Sequence, residues 1–142
     1  TENLAAIAGL VEAIERFVPS PVFERNKLEL LTSRLSRLGE FEGINHLCPK
    51  AKRLANTASF TVPGIDSMTL LAALDLDGIC ASAGSACSAG SLNPSHVLSA
   101  MGRCDNEANS LVRFSLGRET TDEEINLVLD SFPEFVKKNR PG

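Results

Sequence analysis

The run Ala81-Ser82-Ala83-Gly84-Ser85-Ala86-Cys87-Ser88-Ala89-Gly90-Ser91-Leu92-Asn93-Pro94-Ser95-His96 is built almost wholly from small residues, with one thiol in the middle. No large apolar side chain stands between Gly84 and Ser91, so this segment cannot pack itself into a core. Its glycines and serines predict a surface loop, the least ordered internal segment, with the Cys87 thiol near its tip. Asn93-Pro94 ends the loop, Asn93 as an N-cap and Pro94 at the first position of a helix running to Met101 and closed by Gly102. On the other side, Gly78-Ile79-Cys80-Ala81 is apolar and short. It predicts a strand feeding the loop, with Cys80 in the core.

Outward from there, Leu111-Val112-Arg113-Phe114-Ser115-Leu116 alternates, so Arg113 faces away from Val112, Phe114 and Leu116. Residues 54–62 alternate loosely and end at Pro63-Gly64, a further strand. Gly43-Ile44-Asn45-His46 predicts a short, weak strand with His46 facing solvent. Four helices complete the pattern. Residues 3–17 place Leu4, Ile7, Ala8, Val11 and Ile14 on one face, and residues 21–38 repeat Leu28, Leu31, Leu35 and Leu38 before Gly39. Both stripes are expected to pack into the core, being too short for a coiled coil. Asp66 caps a helix through Leu74. Thr121-x-x-Glu124 is a capping box opening a last helix that buries Ile125, Val128, Leu129 and Phe132, with Pro133 expected to kink or divide it. The sum is an α+β fold, a small antiparallel sheet of about three strands covered by helices.

Composition narrows the function. The 142 residues are enough for one domain with a modest core. A net charge of −4 argues against a nucleic-acid surface, which needs clustered Lys and Arg. No apolar run reaches membrane-spanning length, and Thr1-Glu2-Asn3 lacks the basic start and apolar core of a signal peptide. Cys48, Cys80, Cys87 and Cys104 include no Cys-x-x-Cys pair and no zinc-like spacing to a histidine, so no metal site is expected. A chain this long and apolar does not need disulfides, which points to a reducing cytoplasm. Cys48, Cys80 and Cys104 read as structural or incidental.

Ser85-Ala86-Cys87-Ser88-Ala89-Gly90-Ser91-Leu92-Asn93-Pro94-Ser95-His96-Val97-Leu98 resembles the active-site cysteine loop of the NifS/IscS-type cysteine desulfurases, which are pyridoxal-phosphate enzymes. Asn93 departs from the family, which usually has Glu there. Three more stretches carry the resemblance. Thr1-Glu2-Asn3-Leu4-Ala5-Ala6-Ile7-Ala8-Gly9 is similar to the tail of the family's Gly-Thr-Glu-Asn segment, Asn56-Thr57-Ala58-Ser59-Phe60 to a structural strand, and Val112-Arg113-Phe114-Ser115-Leu116-Gly117-Arg118 to the strand bearing the substrate arginine.

The resemblance implies that Cys87 takes sulfur from L-cysteine as a persulfide and leaves alanine. It implies that Arg113 binds the substrate carboxylate, a task suited to a guanidinium fork. It gives Thr1 the cofactor phosphate of the neighbouring subunit, hence a homodimer at full length. The sulfur acceptor would be an iron–sulfur scaffold protein or another thiol. Arg118 reads as a solvated charge and His96 as structural. The resemblance covers only the last third or so of a family member, with the fold of the C-terminal small domain of fold-type I enzymes. The large domain, with the lysine that bonds the cofactor, is missing, so residues 1–142 alone are expected to be inactive. Two other readings stay open: a non-catalytic sulfur relay using the Cys87 loop, or a protein-docking domain.

Overall fold

Alternation along β3 (Leu111–Ser115) decides the layers, because it sends Val112 and Phe114 to one face and Leu111, Arg113 and Ser115 to the other. The computed structural model describes residues 2–20, 24–84 and 94–140. In it β3 pairs antiparallel with β2 (Thr57–Thr61), Ser59 opposite Arg113, and β2 pairs antiparallel with β1 (Asn45–His46). The sheet order is β1-β2-β3. The fold is the expected α+β architecture, an open three-stranded antiparallel sheet with helices.

The main core lies on the Val112 face. Ala58, Phe60, Val112 and Phe114 meet Leu28, Leu31 and Leu35 of α2 (Arg25–Leu35), Leu38 of the 3-10 turn Ser36–Glu40, and Ile125, Val128, Phe132 and Val136 of α6 (Asp122–Asn139). Phe60 meets Phe114, and Phe114 meets Phe132, edge to face at centroid separations of 6.1 and 5.9 Å. Such pairs add to the burial of their area. A second cluster, Leu47, Leu98, Ala108 and Leu111, lies under α4 (His96–Ala100) and α5 (Asp105–Ala108), on the Leu111 side of the sheet. α3 (Ser67–Leu76) is capped by Asp66, which accepts from the N–H and hydroxyl of Thr69; these bonds hold the Asp66 carboxyl below its ordinary value. The capping box of Thr121 and Glu124 forms as expected.

Several expectations are corrected. Residues 78–81 do not form a strand. The N–H groups of Gly78 and Ile79 turn back to the carbonyls of Asp75 and Leu74, closing the end of α3 instead of joining a ladder. Only Ser82 reaches the sheet, through an isolated bridge to Arg113. The third strand is therefore the short β1, and Cys80, outside any ladder, is exposed. The cap of α4 is Ser95, whose hydroxyl accepts from Leu98 N–H, not Asn93. α6 runs unbroken through Pro133, which is itself buried. Phe132 and Val136, buried on either side of it, hold both halves against the core at the loss of one backbone bond. α5 was not expected at all; four residues carry too little periodicity to announce a helix.

α1 (Leu4–Phe17) is the largest departure. It forms, capped by the Asn3 side chain on Ala6 N–H, yet buries no residue. Leu4, Ile7, Leu10, Val11, Ile14 and Phe17 are 44% to 73% exposed, so the stripe expected in the core faces outward. His46 is half-buried rather than solvent-facing. It stacks on Phe60 at 4.9 Å, because its register opposite Phe60 places it on the core face.

Candidate substrate-binding site at the free edge of the sheet

Arg113 is where the sequence placed it, on the face of β3 away from the main core, and it is half-buried. Its neighbours explain its chemistry. Every other arginine except Arg53 sits against a carboxylate. Arg53 lies on His46 Nε2 at 2.8 Å and on the carbonyls of Leu47 and Cys48. Arg113 has no carboxylate partner among the described residues. Its Nη2 donates to Ser82 Oγ at 3.3 Å, and its Nε is buried with no acceptor. A half-buried cation with an unpaired donor is costly by itself, about 1–3 kcal/mol for the donor alone. It is suited to receiving an anion, and a planar fork receives a carboxylate best.

The edge beside Arg113 is built by Ser82. Ser82 N–H donates to the Arg113 carbonyl at 3.0 Å and Arg113 N–H to the Ser82 carbonyl at 2.7 Å. On the far side of residues 85–93, Ser95 N–H donates to the Ala108 carbonyl at 3.2 Å, tying that end to α5. Both ends of the Cys87 segment are thus anchored, one of them on the arginine itself. Cys87 and Thr1 lie outside the described residues, as does the expected loop order around Cys87.

The remaining candidates separate from this edge. Arg118 is exposed and pairs with Glu119, a solvated charge as expected, and His96 is exposed at the start of α4. Cys48, Cys80 and Cys104 are free and exposed. Among the described residues no three His, Cys, Asp or Glu side chains gather as a metal site, and no helix is long and apolar enough to cross a membrane. Sequence reading missed Ser82, whose part depends on the backbone bridge to Arg113 that no local pattern announces. It also missed the His46–Arg53 contact. Burial first, then the Arg53 charge, holds the His46 pKa below its ordinary value.

Comparison with known proteins bears on the family and the fold. The aminotransferase class-V family model matches residues 1–128. The chain is 40% identical to the cysteine desulfurase IscS of Clostridium botulinum, with 99% of the chain covered and 36% of the relative. It is 40% identical to the cysteine desulfurase NifS of Azotobacter vinelandii, over 99% of the chain and 35% of that protein. It thus spans about a third of the length of the curated relatives it matches. Among solved structures, the NifS-like protein from Rickettsia africae superposes with a TM-score of 0.78 at 30% identity, covering 97% of this chain and 36% of that one. A small antiparallel sheet with helices, the superposition on a NifS-like protein and a family match across most of the sequence agree: the chain belongs to the aminotransferase class-V family.

Proposed function

We propose that this chain is the C-terminal small domain of a pyridoxal-phosphate-dependent cysteine desulfurase, and that Arg113 and Cys87 are its working residues. The observation that carries the reading is the half-buried Arg113 guanidinium, without a carboxylate among the described residues and tied to the segment that leads into Cys87. Cys87 follows Gly84 by three residues, a span of about 10 Å at most. One end of the sheet can therefore serve both the carboxylate and the sulfur of a single small amino acid. The names of the relatives add the substrate class, L-cysteine.

Of the chain's own residues, Thr1 alone falls to the cofactor phosphate by resemblance, across a homodimer interface. What residues 1–142 contribute is therefore the handling of substrate. Arg113 orients L-cysteine by its carboxylate through a paired contact that Lys cannot reproduce. The cofactor, when bound by the rest of the enzyme, supplies an electron sink that loosens the substrate C–S bond. The Cys87 thiolate attacks the substrate sulfur; the C–S electron pair stays with the carbon, which takes a proton to become alanine, and Cys87 is left as a persulfide. That sulfur passes to an iron–sulfur scaffold protein or another thiol in a reducing cytoplasm. The uncovered apolar stripe of α1 supports the domain reading, since a folded domain rarely leaves six large side chains exposed along one helix.

The test is kinetic. In the full-length enzyme Arg113→Lys keeps the charge and loses the fork, so kcat/KM for L-cysteine should fall about 10- to 100-fold. Residues 1–142 alone should form no alanine from cysteine. An unchanged kcat/KM returns Arg113 to an ordinary strand residue. Persulfide labelling at Cys87 without turnover of cysteine would favour the relay reading.

A further inference from the structure

We propose that Ser82 is the positioning residue for Arg113, setting the direction of the guanidinium and with it the affinity for the substrate carboxylate. The inference rests on the reading of Arg113 as the carboxylate-binding residue and adds a residue to that site. Three observations carry it. First, the Ser82 hydroxyl is the only partner of the Arg113 guanidinium among the described residues. Second, Ser82 cannot drift from Arg113, because a reciprocal pair of backbone bonds, 3.0 and 2.7 Å, locks the two residues opposite one another. Its Oγ is thereby placed by the fold rather than by a free rotor.

Third, the hydroxyl is used to its full capacity. It donates to the Gly84 carbonyl at 3.2 Å and accepts from Gly84 N–H at 3.5 Å and from Arg113 Nη2 at 3.3 Å. One donor and two acceptor positions are all that a serine oxygen has. Donation to Gly84 turns both lone pairs away from that carbonyl and one of them toward the arginine. Gly84 sits at φ +147°, a conformation that only glycine adopts without strain, so this close return of the backbone to Ser82 Oγ is built into the sequence. A hydroxyl in this place steers a cation without neutralising it. A carboxylate at position 82 would pair with Arg113 and compete with substrate; an alanine would leave the long side chain to several rotamers.

The experiment uses the full-length enzyme and two substitutions of equal shape, Ser82→Thr and Ser82→Val, beside Arg113→Lys. KM and kcat for L-cysteine are measured, with the Kd of the product L-alanine by calorimetry as a readout independent of turnover. Ser82→Thr keeps the hydroxyl and should stay within about threefold of the parent in all three constants. Ser82→Val should raise KM and Kd about 10-fold while kcat moves less than about twofold, as expected for loss of a contact made equally before and during reaction. In an Arg113→Lys background the Val substitution should have no further effect. Ser82→Ala, which adds no volume, repeats the comparison against the parent should the branched residues not fold. Equal constants for Thr and Val, with Arg113→Lys still damaging, would overturn the role of Ser82 and leave Arg113 in place. An Arg113→Lys enzyme with parental KM and Kd would overturn both.

Discussion

α1 and α6 are written in the same language and end in opposite places. Each has an apolar stripe at helical spacing, and each is closed at its start by a side-chain cap, Asn3 in one and Thr121 in the other. α6 buries Ile125, Val128, Phe132, Pro133 and Val136, whereas α1 buries nothing. Periodicity states which face of a helix is apolar. It does not state what covers that face, which is a property of tertiary packing. A helix of 14 residues without a packed face is at the margin of stability in water. α6 is held by the core, and α1 is held by its own backbone.

Core truncation should show the contrast at its largest. Phe132→Ala removes the ring at the end of the Phe60–Phe114–Phe132 row and leaves a cavity. It should cost about 3–5 kcal/mol in urea unfolding of the chain, much of the total stability of a small domain. Val11→Ala on α1 should change it by less than about 0.5 kcal/mol. Comparable losses at the two positions would show that α1 is packed after all.

The caps sharpen the same contrast at a smaller scale. Thr121→Ala breaks both halves of a capping box on a buried helix and should lower global stability by about 1 kcal/mol. Asn3→Ala should leave the global midpoint where it is and only speed amide hydrogen exchange within α1. A shift of the urea midpoint by Asn3→Ala as large as that by Thr121→Ala would couple α1 to the core.

What could be read in advance follows the same division. Local signals were legible: the alternation that turns Arg113 away from Phe114, the capping box at Thr121, the cap at Asp66, and the leucine repeat from Leu28 to Leu38. Signals that depend on a competing partner were not. Ile79 is apolar and looks like strand, but the end of α3 claims its N–H before the sheet can. His46 is polar and beside a turn, yet its register on Phe60 draws it inward. The motif drew attention to Arg113, whereas the feature that supports its proposed role, the lack of a carboxylate partner among the described residues where most other arginines have one, exists only in three dimensions. Ser82 was invisible for the same reason, since its value lies in the pairing with Arg113 and the return of the chain at Gly84.

The smallest expected effect is a pH dependence confined to the α6 side. His46 stacks on Phe60, which leads through Phe114 to Phe132, so its protonation state bears on the row that anchors α6. Burial and the Arg53 charge keep its folded pKa below the unfolded value near 6.5. The unfolded chain then binds more protons than the folded one, so stability rises with pH across this window. The contribution of His46 is complete above the unfolded pKa and is lost as pH falls through the lower, folded one. Protonation also removes the Nε2 lone pair that Arg53 uses, and sets two cations side by side. Urea midpoints measured from neutral pH down through the histidine range should fall in the parent chain and fall less in His46→Asn, which keeps an acceptor but does not titrate. Hydrogen exchange in α1 should be unaltered by that substitution, since no described contact joins α1 to His46. A parent and a His46→Asn chain with the same slope would assign the pH dependence to other groups and remove His46 from the core's account.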